Sequence, residues 1–186
     1  MKKNKKYINQ PNIFVDADGV LVDFLGAWGE LLGVQGWAKI KHIPKEIRDK
    51  HLEQMGDRPN FVRNFFANLP MLGGGKKILA YLKAKDLTFS ILSAPMTDNE
   101  SESIEGKIES FRLLGLDDRP AIFTKDKFLY ATDENGNPNI LIDDYAENTT
   151  KWTQHGGIAI KHDDETVDST LRQLDDILHK YRHASE

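Results

Sequence analysis

The chain has 186 residues, which at about 150 residues per domain amounts to one domain, or one carrying a small insertion, and excludes a multi-domain assembly. A hydrophobic content of 39% is enough for a packed core and excludes a disordered polymer. The 25 basic and 29 acidic residues, net −4, lack the basic excess of a dedicated nucleic-acid-binding domain, and with no cysteine any metal must be held by oxygen or imidazole.

At the start, Lys2, Lys3, Lys5 and Lys6 lead into polar Asn9-Gln10-Pro11-Asn12, a solvated terminus with no apolar stretch of the signal-peptide kind. No run approaches the roughly 18 apolar residues of a membrane helix, so the expectation is a soluble, cytoplasmic protein with no membrane partner. Ile13-Phe14-Val15 is a short apolar, β-prone run ending at Asp16, as for a strand inside a sheet. Residues 25–73 hold no evident strand but carry Trp28, Trp37, Phe61, Phe65 and Phe66 among helix-compatible stretches, and are expected to form a helical insertion. From Gly74 to Lys85 the spacing of Ile78, Leu79 and Leu82 predicts a helix, which gives way to a strand over Leu87–Leu92. Ile104, Ile108, Phe111 and Leu114 repeat at helical intervals before Gly115, a stop in the left-handed conformation. Ala121-Ile122-Phe123 is the next strand, and the Asn135-Gly136 dipeptide suggests that Phe128-Leu129-Tyr130 pairs back on Asn139-Ile140-Leu141 as a hairpin. Ile140-Leu141-Ile142 and Gly157–Ile160 are further strands, and Val167, Leu171, Leu174, Leu178 and Tyr181 mark one face of a closing helix. Strands alternating with helices predict an α/β fold, a Rossmann-like and mostly parallel sheet with helices on both faces. The core is expected to comprise residues 1–24 and 74–186.

In such a sheet ligands bind beyond the carboxyl ends of the strands. Here those ends carry Asp16-Ala17-Asp18-Gly19, Ser93, Thr124-Lys125-Asp126-Lys127 and Asp143-Asp144. Carboxylates converging on one rim repel one another unless a cation lies among them, and an oxygen-only donor set favours Mg²⁺. Magnesium bound by few carboxylates keeps positions for phosphate oxygens, and a lysine can neutralise the remaining charge. With no cysteine and no Gly-x-x-x-x-Gly-Lys loop, the simplest nucleophile is a carboxylate that forms an aspartyl phosphate, with Asp16 the candidate. Asp143-Asp144 also suits a helix N-cap with a solvated neighbour. Ser93 also suits a turn before Pro95, and the insertion's aromatics also suit core packing. The histidines show no zinc-ligand spacing, and Asp163-Asp164 suits the opening of the last helix.

In this order, Asp16-Ala17-Asp18-Gly19-Val20-Leu21, Ser93, Lys125/Lys127 and Asp143-Asp144 resemble the haloacid dehalogenase superfamily of phosphohydrolases. Within it, residues 16–24, Phe65-Phe66-Ala67-Asn68-Leu69-Pro70, Ser93-Ala94-Pro95 and Leu141-Ile142-Asp143-Asp144-Tyr145 resemble the 5′(3′)-deoxyribonucleotidases, over about Asn12 to Gly157. The resemblance implies a magnesium-dependent phosphoric monoester hydrolase in which Asp16 attacks phosphorus and Asp18 is acid, then base. It implies that Ser93, Ala94, Lys127 and Lys107 bind phosphate or substrate. Magnesium would be held by Asp16, the Asp18 backbone and Asp144, with Asp143 in support. The helical insertion would be the family's cap. Two departures stand out: the second motif has Ala94 where two adjacent hydroxyls are common, and Lys107 lies one residue out of the family's register. The implied substrate is a deoxynucleoside monophosphate. Alternatives are another small phosphorylated metabolite, a nucleic-acid 3′-phosphate, or a nucleotide-binding module without turnover, and a homodimer is compatible with each.

Overall fold

Five short apolar runs form the strands of one parallel sheet in the computed structural model of this chain, which describes residues 10–34, 40 and 42–183. They are β1 (Ile13–Val15), β2 (Ser90–Ser93), β3 (Ala121–Phe123), β4 (Ile140–Asp143) and β5 (Ile158–Lys161), in the order β3-β2-β1-β4-β5. Side chains alternate across a strand. Ile13 and Val15 therefore join the larger core with Ile78, Leu82, Leu174 and Leu178, while Phe14 points to the opposite face against Trp152 and Leu141. β1 and β4 are buried along their whole length, as in a sheet covered on both faces. Trp37 and the four lysines near the start lie outside the described residues.

Three of the described helices lie between β1 and the glycines at 73–75: α1 (Phe24–Leu31), α2 (Lys45–Gly56) and α3 (Pro59–Ala67). They share a small core of Trp28, Ile40 and Met55. The remaining helices are α4 (Gly73–Ala84), α5 (Glu100–Leu113), α6 (Ala146–Gln154) and α7 (Val167–His183). Gly75 is glycine for a steric reason, because a Cβ there would stand 2.8 Å from the carbonyl oxygens of Val20 and Leu21. The first turn of α4 takes its cap from far along the chain, since Asp164 Oδ1 accepts from Gly74 N at 2.6 Å. Asp163 accepts from Glu165 N and opens the turn before α7, the role expected of this acidic pair. Gly115 ends the segment after α5 at φ 68°.

Two expectations are corrected. The segment after β3 is no hairpin strand: Lys127–Tyr130 forms a single 3₁₀ turn, and antiparallel pairing is confined to one bridge between Thr132 and Pro138. The Asn135-Gly136 turn is real but tight, organised by Asp133, which accepts from the backbone of Asn135 and Asn137, each at 2.8 Å. The second strand begins at Ser90, not Leu87, because Leu87 is still tied to the end of α4 through its N–H to Leu82 O. No helix among the described residues is long and apolar enough to cross a membrane.

Candidate active site

Strand register brings the chemistry-bearing residues to one rim. Val15 pairs with Ile91 on one side and Ile142 on the other, so the next residue, Asp16, emerges beside Asp143 with Ser93 close by. Its N–H donates to Ile142 O at 2.9 Å. This is the crevice where the strand order reverses, the usual ligand position in open α/β sheets. After Asp16 the chain closes a compact loop in which Leu21 and Val22 donate to Ala17 O. Gly19 turns that loop at φ 79°, and any Cβ there would collide with the Asp144 carboxylate.

Lys127 is the central cation, only 2% exposed. Its Nζ lies 2.7 Å from Asp16 Oδ1 and 2.7 Å from Asp143 Oδ2. The 3₁₀ turn carries it inward while Lys125 stays exposed. Burial works to lower its pKa, and the two carboxylates outweigh it, so the net shift is upward and the ammonium stays charged. Asp143 is fully engaged: Oδ1 accepts from Tyr145 N at 2.8 Å, and both oxygens accept from Asn148 Nδ2.

A second lysine completes the rim from α5. Lys107, also 2% exposed, donates to Asp18 Oδ2 at 2.5 Å and Ser93 Oγ at 3.1 Å. Its Nζ rests 4.6 Å from the centre of the Phe66 ring, a cation–π contact across to α3. Asp18 Oδ1 is buried with no hydrogen-bond partner among the described residues.

Asp16, Asp143 and Asp144 offer one oxygen each within 4.8 Å of one another. Burial pushes the Asp16 carboxyl well up, with Asp143 and Asp18 adding to the effect and Lys127 opposing it. Burial, then Asp143, raises Asp144 to about 6. Carboxylates crowded in this way suit a hard divalent cation, which would reverse both shifts. The donor set therefore fits magnesium. Asp16, Asp18, Ser93, Lys107, Lys127, Asp143 and Asp144 are thus all brought to one rim.

Beside them opens a cavity of about 430 Å³. Asp18, Phe24, Leu52, Phe66, Ala94 and Asp98 are among its walls. Phe24 and Phe66 stack with ring centres 5.9 Å apart. Of the insertion's aromatics that are described, Trp28 and Phe66 are buried, and Phe61 and Phe65 pack against the small core of α1–α3.

Sequence reasoning missed two residues around the rim. Asn148 is a polar side chain on the first turns of α6, five positions after Asp143, and that spacing was its only signal. Lys161, paired across from Asp143 in β5, donates to Asp144 O and to His162 O.

Sheet order, helical coverage and a carboxylate–lysine rim at the strand ends define a Rossmann-like α/β protein of the haloacid-dehalogenase fold type. The chain is similar in fold to a HAD family hydrolase from Deinococcus radiodurans R1, solved with bound phosphate and sodium, at 17% identity over 81% of this chain and 79% of that one, with a TM-score of 0.52. It is also similar to a hydrolase from Streptococcus pneumoniae TIGR4, at 12% identity over 91% of this chain and 100% of that one, with a TM-score of 0.53. No protein-family model and no curated protein sequence matches the chain. At such identities the likeness establishes the fold.

Proposed function

We propose that this chain is a magnesium-dependent phosphomonoesterase that works through an aspartyl phosphate on Asp16 and acts on deoxynucleoside monophosphates. The observation that carries the reading is the division of labour between two neighbouring aspartates. Asp16 is locked by Lys127 and by Ala17 N, both on Oδ1, which leaves Oδ2 for attack on phosphorus. Asp18 lines the cavity with an oxygen that has no partner among the described residues. Asp16 Oδ2 forms the new P–O bond as the ester P–O bond breaks, and Asp18 hands its proton to the departing oxygen. Asp18 then takes a proton from water, whose oxygen attacks phosphorus and frees Asp16 and inorganic phosphate. Lys107 holds Asp18 in place, and with Ser93 it offers donors to the phosphoryl oxygens. Magnesium, when bound, would supply Lewis-acid charge compensation. Asp16 and Asp144 suit direct ligation, because Asp143 already satisfies both its oxygens with Lys127, Asn148 and Tyr145 N.

The substrate assignment draws on the cavity. Its volume, about 430 Å³, falls in the range for small-molecule sites, and the half-buried Phe24 ring among its walls offers an apolar surface suited to a nucleobase. Two exposed carboxylates at its edge, Asp49 and Asp98, disfavour a polynucleotide. Residues 25–73 are read as a cap over this space. The HAD family hydrolase from Deinococcus radiodurans was solved with phosphate bound, consistent with a phosphoryl site in this fold. The test is phosphate release from deoxy- and ribonucleoside monophosphates, sugar phosphates and a 3′-phosphorylated oligonucleotide, with and without Mg²⁺ and with Asp16→Asn as control. Release concentrated on deoxynucleotides, dependent on magnesium and lost in the variant, is the expected result. Preference for another ester overturns the substrate, and nucleotide binding without turnover overturns the enzyme.

A further inference from the structure

We infer that Asp98 is a specificity residue whose carboxylate accepts a hydrogen bond from an exocyclic amino group of the substrate's nucleobase, so that amino bases are preferred to oxo bases. This deepens the deoxynucleotide reading and rests on it. The cavity beside Asp18 is lopsided in charge. Its charged walls are Asp18, Asp49 and Asp98, and no lysine, arginine or histidine lines it among the described residues. Apart from the Thr97 hydroxyl, every polar side chain on those walls is a carboxylate, and the remainder is apolar surface such as Phe24 and Leu52. The phosphate's cations stand on the rim, where Lys107 and Lys127 are held by Asp18 and Asp16. The cavity itself therefore suits a neutral leaving group that presents donors.

Of the two outer carboxylates, Asp98 is the one with a built position. Asp49, Leu52 and Gly56 follow one another at helical spacing and share a face of α2, and the first two line the cavity. At Gly56 that face meets the loop after β2, because a Cβ there would collide with Asp98 Cβ. Asn99, in left-handed backbone at φ 68°, donates from Nδ2 to Gly56 O at 3.0 Å. Met96 N donates to Oγ of the buried Ser103 at 3.0 Å. The loop is thus anchored on both sides of Asp98, whose side chain is exposed and on the cavity wall, open to a ligand. Asp49, by contrast, has Lys45 at 4.0 Å. A carboxylate only accepts hydrogen bonds, and one from an amino group is charge-assisted. Cytosine and adenine carry an amino group where uracil and hypoxanthine carry a carbonyl oxygen, which a carboxylate repels. The ring N–H of the oxo bases lies beside that oxygen. Each pair has nearly the same shape, so apolar walls cannot separate its members and a fixed acceptor can.

The test compares full-length wild type, Asp98→Asn and Asp98→Ala in Mg²⁺, with Asp57→Asn, exposed at the end of α2, as a charge control. The readouts are kcat/KM for deoxycytidine against deoxyuridine monophosphate and for deoxyadenosine against deoxyinosine monophosphate, with phenyl phosphate as a base-free ester. Calorimetric affinities for the same four nucleotides are measured in an Asp16→Asn background. Wild type is expected to favour the amino member of each pair about tenfold or more. Asp98→Asn, whose amide donates as well as accepts, and Asp98→Ala bring each ratio to within about threefold, and Asp57→Asn keeps the wild-type ratio. A ratio taken within one variant is unmoved by a general loss of folded or active protein. Wild-type ratios near one, ratios unaltered in both Asp98 variants, or an equal change in Asp57→Asn overturn the inference. If wild type hydrolyses phenyl phosphate but no nucleotide, the substrate reading falls, and if it hydrolyses no ester, the phosphomonoesterase reading falls. Calorimetry then decides on Asp98: tighter binding of the amino nucleotides that is lost on adding Asp98→Asn sustains it, and equal affinity or no binding overturns it.

Discussion

The rim of the sheet and the helical segment above it handle charge in opposite ways. On the rim the two buried lysines are already engaged, Lys127 between Asp16 and Asp143 and Lys107 between Asp18 and Ser93. On the helical side α3 is fastened to α5. Gly106 lets the Arg63 carbonyl and Phe66 approach, and Arg63 pairs with Glu102 at 3.2 Å and also with Glu105. α2, by contrast, is largely exposed and carries a buried donor without a partner among the described residues. A preorganised electrostatic network suits a fixed reaction centre, because its dipoles need no rearrangement during chemistry.

That contrast can be broken most severely at Asp16. Asp16→Asn keeps the size of the side chain and removes the proposed nucleophile, so kcat is expected to fall by at least ~10³-fold in a phosphate-release assay while the urea midpoint changes little or rises. A variant that turns over normally would remove Asp16 from the chemistry. Next is Lys127→Met, which leaves two buried carboxylates facing one another. Loss of one partner from a buried charge network costs about 3–5 kcal/mol, read by urea unfolding in chelator, and added Mg²⁺ should recover part of it. An unchanged midpoint would mean that the rim is not held by this lysine.

The fastening of the helical side is probed by Gly106→Ala. Its Cβ would sit 2.9 Å from Phe66 Cβ and closer still to the Arg63 carbonyl, so overpacking should cost about 1–3 kcal/mol by the same measurement. The smallest effect is at His162, fully buried, with Nδ1 3.0 Å from Thr170 Oγ1 and Nε2 without a partner among the described residues. Burial lowers its pKa, while Asp164 and Asp163 oppose and Lys161 assists. The unfolded chain therefore binds a proton more readily. The stability from a neutral His162 is present above its ordinary value near 6.5 and fades as pH falls below it. His162→Gln should flatten unfolding free energy against pH in that window, and an unaltered slope would assign the dependence to other groups.

Sheet and rim were legible in the sequence for one reason. Strands buried on both faces read as continuous apolar runs, so each boundary where Val15, Ile142 or Leu92 gives way to Asp16, Asp143 or Ser93 marked a strand end. Lys107 was harder, because its long side chain, with the ammonium over the Phe66 ring, reaches Asp18 from a register that looked displaced. Phe128-Leu129-Tyr130 misled because three β-prone residues beside an Asn-Gly turn imitate a hairpin, whereas the burial of Lys127 between two carboxylates requires a tight inward turn.

The central position of β1 sets the order in which this molecule can become reactive. Asn12 and Asn139, 127 positions apart, are joined by a side-chain hydrogen bond at the start of the β1–β4 pairing. Contacts so distant along the chain form late and slowly, after large loops have closed. Asp16 leaves the ribosome before Lys127 and Asp143, which can reach it only after the helices and strands between them have been synthesised. A nascent or truncated chain lacking β4 thus carries an isolated aspartate without its electrostatic frame, and the assembled rim arrives only with closure of the sheet.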